Sequence, residues 1–198
     1  MPAPAGVPGD PLPRVVYSLS VSLDGFIAAP DGAIDWSVPD DELFAFHHQR
    51  VKETGVQLCG RRLYETMDYW ETVDEGGLEA EEAAFARTWR ALPKVVFSTT
   101  LQSVAGNARL AAGGVEEEVA RLRREQDGDI GVGGAGLARA CMELDLVDEW
   151  RLFVNPVLLG GGTPFFPALQ RRVGLELLET RTFASRIVYV RYGRAGRP

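Results

Sequence analysis

The sequence predicts an α/β fold built on a mixed, mostly parallel sheet with helices on its faces. Short apolar segments alternate with amphipathic segments up to the middle of the chain, which is typical of parallel strands joined by helices. The chain then becomes rich in strands, and Leu175–Phe183 and Arg186–Tyr192 predict a C-terminal antiparallel hairpin. A length of 198 residues with 45% hydrophobic and 25% charged residues suits one domain.

The elements follow from local patterns along residues 14–194, which we predict to form that single domain. Strands are predicted where β-branched and aromatic residues cluster: Val15–Ser22, Val56–Cys59, Lys94–Ser98, Asp129–Val132 and Val147–Pro156. Helices are predicted from Pro39 onward and over Arg62–Tyr69, Glu79–Leu92, Val115–Gln126 and Gly136–Leu144. We expect Glu79–Leu92 to be an exposed helix. Met1–Pro13 contains five prolines and predicts a disordered leader.

Composition excludes several classes of function. A net charge of −7 argues against a nucleic-acid surface, because phosphate backbones require clustered Lys and Arg. No apolar run reaches the roughly 18 residues that a membrane span needs, and no secretory signal is present, so we expect a cytoplasmic protein. Two histidines and two cysteines are too few for a zinc site, and no metal is expected. Cys59 and Cys141 lie among apolar residues and predict buried thiols.

The run Gly131–Leu137 leads from a strand through glycines directly into a helix. Such a turn lets backbone N–H groups and a helix N-terminus face an anion, because no side chain stands in the way. Its glycines satisfy G-x-G-x-x-G, but a Rossmann fingerprint belongs to the first βα turn, and this run lies in the C-terminal half. The alternative is a strand-to-helix turn whose glycines serve packing alone.

Two further loops have related features. Gly60 is followed by Arg61 and Arg62 at a helix start, where cations oppose the helix dipole unless an anion compensates. Ser98, Thr99 and Thr100 place three hydroxyl groups at a strand end, which taken alone is a simple turn. The three loops are expected to share one edge of the sheet, where open α/β sheets bind ligands.

Four stretches together resemble one known family. They are S-L-D-G-F-I-A-A-P-D-G after the first strand, G-R-R-L-Y-E, G-G-A-G-L, and L-V-D-E-W-R-L-F-V-N-P-V-L-L-G-G-G-T-P-F-F. With these motifs the chain, from about Val15 to Tyr192, resembles the dihydrofolate reductase-like family. Within it, the chain is similar to stand-alone relatives of the reductase domain of the bifunctional riboflavin-biosynthesis deaminase–reductase.

The resemblance implies NADPH as the cofactor. Arg61 and Arg62 would then lie near the 2′-phosphate and the pyrophosphate, and the hydroxyl loop would lie at the adenosine end. The glycine run would carry the pyrophosphate and the nicotinamide side. The predicted cofactor-binding residues are Gly60, Arg61, Arg62, Ser98, Thr99, Thr100, Gly133, Gly134, Ala135, Gly136 and Leu137.

Two carboxylates are candidates for the catalytic acid. Asp24 ends the first strand and is otherwise a turn residue before Gly25. Asp41 follows Trp36 in an order similar to that of dihydrofolate reductases, in which an acid at a helix start binds the pterin. Asp40 or Glu42 is the alternative to Asp41, and any of the three is otherwise a helix-start acid. The predicted substrate-binding residues are Trp36, Phe44, Phe153, Asn155 and Gly161, of which the aromatic ones alternatively belong to the core.

These observations predict an NADPH-dependent reductase that transfers a hydride to a pteridine, pyrimidine or related heterocycle. The alternative within the same class is the riboflavin-pathway 5-amino-6-(5-phosphoribosylamino)uracil reductase. Those enzymes usually carry Lys or a similar polar residue where this chain has Phe26, which favours another heterocycle. The alternative of another class is a non-catalytic NADPH-binding protein. The apolar C-terminal hairpin also predicts a homodimer, unless its residues are core.

Overall fold

The computed structural model describes residues 12–196, in which ten strands and five α-helices occur. The strands are β1 (Val15–Ser22), β2 (Phe26–Ala28), β3 (Thr54–Gly60), β4 (Lys94–Phe97), β5 (Ala108–Leu110), β6 (Asp129–Gly133), β7 (Glu149–Asn155), β8 (Thr163–Pro164), β9 (Leu175–Thr182) and β10 (Val188–Arg194). The helices are α1 (Asp41–Lys52), α2 (Arg61–Thr72), α3 (Ala80–Ala91), α4 (Val115–Glu125) and α5 (Ala135–Glu143). Short 3₁₀ helices cover Asp35–Ser37 and Glu75–Gly77.

Eight of the described strands form one sheet in the order β5-β4-β3-β6-β1-β7-β10-β9. Pairing is parallel from β5 to β7, and β10 runs antiparallel to both β7 and β9. The predicted mixed, mostly parallel sheet with a C-terminal antiparallel pair is therefore confirmed. A separate two-stranded sheet joins β2 to β8, and neither of these strands was predicted, because two or three residues carry no readable alternation.

The prediction of an exposed helix over Glu79–Leu92 was wrong. Although α3 carries charge on one side, it buries Phe85, Ala86 and Trp89. Phe85 and Trp89 pack with Phe44 of α1 and with Trp70 of α2 in an aromatic cluster between the three helices. The apolar residues recur three or four positions apart and so share one helix face, which the strong charge pattern obscured.

The main core lies against the central strands and includes Cys141, whereas Cys59 is buried outside this cluster. Cys59 and Cys141 are unpaired and fully buried, as predicted, and burial raises the pKa of each thiol to about 12. A second cluster packs α1 against the β7–β10 part of the sheet through Leu43, Phe153 and Tyr189. This packing fixes where α1 begins relative to the end of β7.

A buried carboxylate organises the amino ends of the central strands. Glu149, 1% exposed, accepts hydrogen bonds from Arg14 at 2.8 Å, Arg151 at 2.5 Å and Arg191 at 3.0 Å. Asp129 extends the cluster by accepting from Arg14 and Arg151 at 2.9 and 3.2 Å. A buried charge persists only when it is paired in this way, so the cluster ties β1, β6, β7 and β10 together at the edge opposite the loops discussed below.

The leader predicted for residues 1–13 lies outside the described residues except for Leu12 and Pro13. Within residues 12–196 no helix is long and apolar enough to cross a membrane. The edge strand β9 exposes Leu175, Leu177 and Leu178, whereas Ile187 and Tyr189 at the neighbouring strand are buried. The homodimer stays a prediction, and β9 is the surface on which we place it.

Candidate functional site

The three loops selected from the sequence meet at the carboxyl edge of the sheet. Gly60 at the end of β3 pairs with Phe97 at the end of β4, so Ser98 follows directly beside Arg61 along the edge. On the other side of β3, Cys59 pairs with Gly133 at the end of β6. Because these strands are parallel, all three loops leave the sheet at the same level and face the same side.

Glycines allow two of these loops to touch. A Cβ added to Gly134 would lie 3.5 Å from both Cα and N of Gly60, so the two backbones are in close contact. Gly134 has φ +100°, a conformation that residues with a side chain rarely adopt. Gly133 serves packing, since a Cβ there would lie 2.0 Å from Cδ2 of Leu63. Gly136 differs, because a Cβ there would meet no atom within 4 Å, which leaves open space above the first turn of α5.

The helices that begin at these two loops differ from the other helices of the described chain. Neither α2 nor α5 has a side-chain cap or an acidic residue in its first turn. By contrast, α1, α3 and α4 each begin with two or three acidic residues. Acidic residues stabilise a helix start, and an external anion can take their place. The pattern therefore distinguishes α2 and α5 as the helix starts of the described chain at which an external anion could take the place of acidic residues.

The side chains around this edge are partly engaged already. Arg61 donates to both carboxylate oxygens of Glu65, at 2.9 and 3.2 Å, and is 45% exposed. Arg62 is exposed and forms no ion pair with any residue in 12–196. Ser98 Oγ accepts from the backbone N–H groups of Thr100 and Leu101 at 3.1 and 3.0 Å, so it shapes its own loop. Thr99 is exposed beside it.

The ladder between β1 and β6 ends early beside the glycine loop, and we call the stretch of β1 that it leaves uncovered (Ser18–Ser20) the slot. The pairing of β1 with β6 covers only Val15–Tyr17, whereas its pairing with β7 continues to Ser22. Ser18, Leu19 and Ser20 are consequently half-buried, although the residues on both sides of them in β1 are buried. A central strand whose middle is less buried than its ends indicates a cleft between β1 and the turn from β6 to α5. An elongated ligand lying on that turn would enter this cleft.

The two candidate acids lie at the same edge in different surroundings. The Asp24 carboxylate accepts from Ser22 Oγ at 2.6 Å and from the N–H groups of Leu159 and Gly160. Asp41 is exposed at the first position of α1 and makes no side-chain hydrogen bond to any described residue. The carboxylates of its two sequence neighbours, Asp40 and Glu42, both accept hydrogen bonds within the protein. Asp40 caps the helix through Leu43 N at 2.9 Å, and Glu42 binds Arg181 at 2.7 Å and Ala184 N at 3.1 Å.

The predicted substrate residues are only partly brought together. Asn155 is 3% exposed at the end of β7, in register with Ser22, and donates to Phe153 O at 2.8 Å. Gly161 lies in the following loop, where a Cβ would be 3.7 Å from Pro30. Trp36 lies in the segment before α1, where its indole N–H donates to Ala33 O at 3.2 Å.

Two of the aromatic candidates belong to the packing of α1. Phe153 is completely buried, with its ring centroid 4.2 Å from that of His47. Phe44 lies in the other aromatic cluster, 5.3 Å from Phe85. The structure therefore separates Phe44 from Phe153, and a substrate contact by either stays a prediction.

Comparison with known proteins identifies the family of the chain. A family model described as the RibD C-terminal domain matches residues 13–189. The chain belongs to the RibD C-terminal domain family. It is 32% identical over 181 residues to the uncharacterized protein YyaP of Bacillus subtilis (strain 168), which covers 90% of this chain and 94% of that protein.

Solved structures support the same fold. A putative riboflavin biosynthesis protein from Shewanella sp. PV-4 has a TM-score of 0.74 at 21% identity, covering 91% of this chain and 98% of that chain. A dihydrofolate reductase from Enterococcus faecalis, complexed with NADP(H), has a TM-score of 0.61 at 17% identity, covering 92% and 96%. The fold of this RibD C-terminal domain relative is thus dihydrofolate reductase-like, as the sequence motifs predict.

Ser18, Leu19 and Ser20, which form the slot, were not selected from the sequence as candidate site residues. Their signal was present in the sequence, because a strand buried on both faces of a parallel sheet is normally a continuous apolar run. The segment V-V-Y-S-L-S-V-S interrupts that run with small polar residues. In this member of the RibD C-terminal domain family, the small polar residues lie in the stretch of β1 that does not pair with β6.

Replacing Gly136 by alanine is expected to change folding and ligand binding in opposite directions. The free protein gains up to about 1 kcal/mol, because glycine is the poorer helix former and the added methyl meets no protein atom. We expect affinity for NADPH, the cofactor that the sequence predicts, to fall several-fold, because the methyl enters the space above α5. Thermal unfolding and fluorescence titration measure the two effects. Gly114→Ala at the start of α4 is the matched control, with equally open space, and its NADPH affinity should not change.

Proposed function

We propose that the protein is an NADPH-dependent reductase that transfers a hydride to a pteridine, pyrimidine or related heterocycle. The observation that carries the proposal is the pair of uncapped helix starts, α2 and α5, beside a slot in the centre of the sheet. Membership of the RibD C-terminal domain family and the likeness to a dihydrofolate reductase complexed with NADP(H) support it.

The residues present fit such a cofactor. The bare backbone around Gly134 and the open space over Gly136 would hold the pyrophosphate, and Arg61 and Arg62 would hold the 2′-phosphate. The Ser98–Thr100 loop would lie at the adenosine end. The half-buried stretch of β1 offers the cleft for the nicotinamide end. When bound, NADPH supplies the hydride, and the protein has to orient the substrate and provide a proton.

Within this site we assign to Asp41 the role of donating a proton to the substrate. It is the exposed carboxylate at the start of α1 whose two neighbours are already engaged by the fold. A carboxylate without a structural partner can bind the N–C–N edge of a heterocycle with both oxygens and pass a proton to it. Because α1 packs on Phe153 and Tyr189 through Leu43, its start is held at the carboxyl end of β7, next to the slot.

The riboflavin-pathway reductase is the second candidate within the same class. The likeness to a putative riboflavin biosynthesis protein favours it. Phe26 disfavours it, because this position pairs with Pro164 in the small β2–β8 sheet and presents a ring where those enzymes usually have a polar residue. A panel of aminopyrimidine phosphates and pteridines, assayed by NADPH oxidation, separates the two. If NADPH binds and no member of the panel is reduced, the non-catalytic alternative is supported instead.

Arg61→Ala is expected to weaken NADPH binding by roughly tenfold to a hundredfold, the range of a hydrogen-bonded charge pair, and to leave NADH affinity nearly unchanged. Quenching of tryptophan fluorescence measures both cofactors. Arg139→Ala is the matched control, because Arg139 on α5 forms the same kind of exposed pair with Glu143. Equal losses for NADPH and NADH would contradict the assignment of Arg61 to the 2′-phosphate, and failure of the unmodified protein to bind NADPH would contradict the proposed function.

A further inference from the structure

The segments that follow β1 and β7 are fastened to each other at several points. Leu23 N donates to Val157 O at 2.9 Å, and Phe165 N donates to Gly25 O at 2.9 Å. The pairing of β2 with β8 continues directly from the second of these bonds. The segment after β7 is therefore held alongside the segment after β1 and does not extend into solvent by itself.

The centre of this connection is the Asp24 carboxylate. It accepts from Gly160 N at 2.7 Å and from Leu159 N at 3.1 and 3.2 Å. Ser22 Oγ donates to the same carboxylate at 2.6 Å and in turn accepts from Phe26 N at 2.9 Å. The Ser22 hydrogen bond and the two backbone hydrogen bonds lower the pKa of Asp24 below its ordinary value. The group is therefore ionised at neutral pH, as an acceptor of three hydrogen bonds should be.

The segment between β7 and β8 (residues 156–162) has a backbone that only glycine permits at its closest approach to β2. Gly160 and Gly162 have φ +72° and +124°, and a Cβ on Gly162 would lie 2.0 Å from Ala28 O. The conformation of this segment thus depends on glycine backbone and on N–H groups that are held by a hydrogen-bond acceptor outside the segment. Asp24 is that acceptor for two successive N–H groups.

The position of the segment matters for the slot. It leaves β7 directly after Asn155, which lies in register with Ser22, two residues after the half-buried stretch of β1. The two fastened segments carry exposed apolar side chains, Leu23 at 66% and Leu158 at 69% exposure. Apolar surface beside a cleft at the ligand edge suits the face of a flat heterocycle.

We propose that Asp24 is a positioning residue, which holds segment 156–162 against the end of β1 and thereby fixes the apolar wall of the substrate site. This inference rests on the proposed function for the identity of the substrate, but the fastening itself does not. Asp24 acts through the backbone of Leu159 and Gly160, and the proton is left to Asp41.

The test compares Asp24→Asn with Asp31→Asn in the full chain. Asp31 is an acid of the same connection, whose carboxylate accepts from Ala33 N at 2.9 Å without reaching segment 156–162. Amide hydrogen exchange of the free protein is the first measurement. In Asp24→Asn we expect exchange at Leu159 and Gly160 to be about tenfold faster or more, and in Asp31→Asn unchanged, because charge-assisted hydrogen bonds protect those two amides. Unchanged exchange in Asp24→Asn would overturn the proposal.

Steady-state kinetics with the heterocycle is the second measurement. A positioning role predicts a KM at least fivefold higher, a kcat that falls less, an unaltered pH profile of kcat, and NADPH affinity within about twofold. Loss of a limb of the pH profile at unchanged KM would instead make Asp24 the acid and sink the proposal. Because the exchange measurement needs neither cofactor nor substrate, it stays decisive if the proposed function fails.

A second variant covers the case in which Asp24→Asn does not fold. Ser22→Ala removes the 2.6 Å hydrogen bond that orients the carboxylate and leaves its charge in place. We expect faster exchange at the same two amides by a smaller factor. No change there would also count against the proposal.

Discussion

Asp41→Asn is expected to lower kcat by about 10²- to 10⁴-fold, the range of a lost general acid, while NADPH affinity stays within about twofold. Asparagine keeps the shape of the side chain and its helix-start position, but it cannot deliver a proton. Because Asp41 makes no side-chain hydrogen bond to the described residues, thermal unfolding should shift little. NADPH oxidation under steady-state and single-turnover conditions measures the loss.

The matched control is the residue one position earlier. Asp40 accepts from Leu43 N at 2.9 Å, and asparagine caps a helix as well as aspartate does. Asp40→Asn should therefore leave the midpoint of thermal unfolding nearly unchanged and keep kcat within about twofold. Equal losses in the two variants would point to a general effect of negative charge at the start of α1, and an active Asp41→Asn enzyme would refute the assignment of the proton.

Glu149→Gln is expected to destabilise the fold by about 3 kcal/mol, because it removes the anion shared by Arg14, Arg151 and Arg191 in a buried cluster. Urea unfolding near neutral pH measures the change. Glu179→Gln is the control on the same arginine, since Glu179 is 37% exposed and lies 3.6 Å from Arg191. An exposed pair of this kind contributes about 1 kcal/mol or less. A loss no larger than that in Glu149→Gln would contradict the role of the cluster.

Acid provides a second test of the same carboxylate. Burial alone would raise the pKa of Glu149, but hydrogen bonds and charges from Arg191, Arg151 and Arg14 outweigh it and lower the pKa below the ordinary 4.5. A lowered folded-state pKa contributes stability that is complete above the unfolded-state value and disappears as the pH falls through the folded-state value. The unmodified protein should therefore lose stability below about pH 4.5, and its advantage over Glu149→Gln should shrink in that window.

Much of the fold could be predicted because its signals are local. The strand ends at Gly60, Ser98 and Gly133 are visible as apolar runs that stop at glycines or hydroxyls, and parallel pairing then brings them to one edge. The role of Asp24 could not be predicted, because its partners are backbone N–H groups about 135 positions away. The choice between Asp40, Asp41 and Glu42 also depended on tertiary contacts, since all three are equally good helix-start acids by pattern.

The orientation of the aromatic candidates could not be predicted from the sequence either. Phe44 and Phe153 are suitable pocket residues by type, but the face toward which each points depends on the packing of α1. Ser18 and Ser20 carried a readable signal in the sequence, yet its meaning required knowledge of where β6 stops. A strand partner that ends early is set by the register of the whole sheet, and no local window contains that information.

The early end of the β1–β6 ladder also divides the sheet mechanically. The half formed by β5, β4, β3 and β6 is joined to the half formed by β1, β7, β10 and β9 over three residue pairs, whereas β1 and β7 share seven. Among the described strands of this sheet, only the edge pair β4–β5 has an equally short ladder. We therefore expect bending of the sheet at this seam to change the width of the slot. The three loops predicted to bind the cofactor belong to one half and both candidate acids to the other, so the seam sets the distance between them.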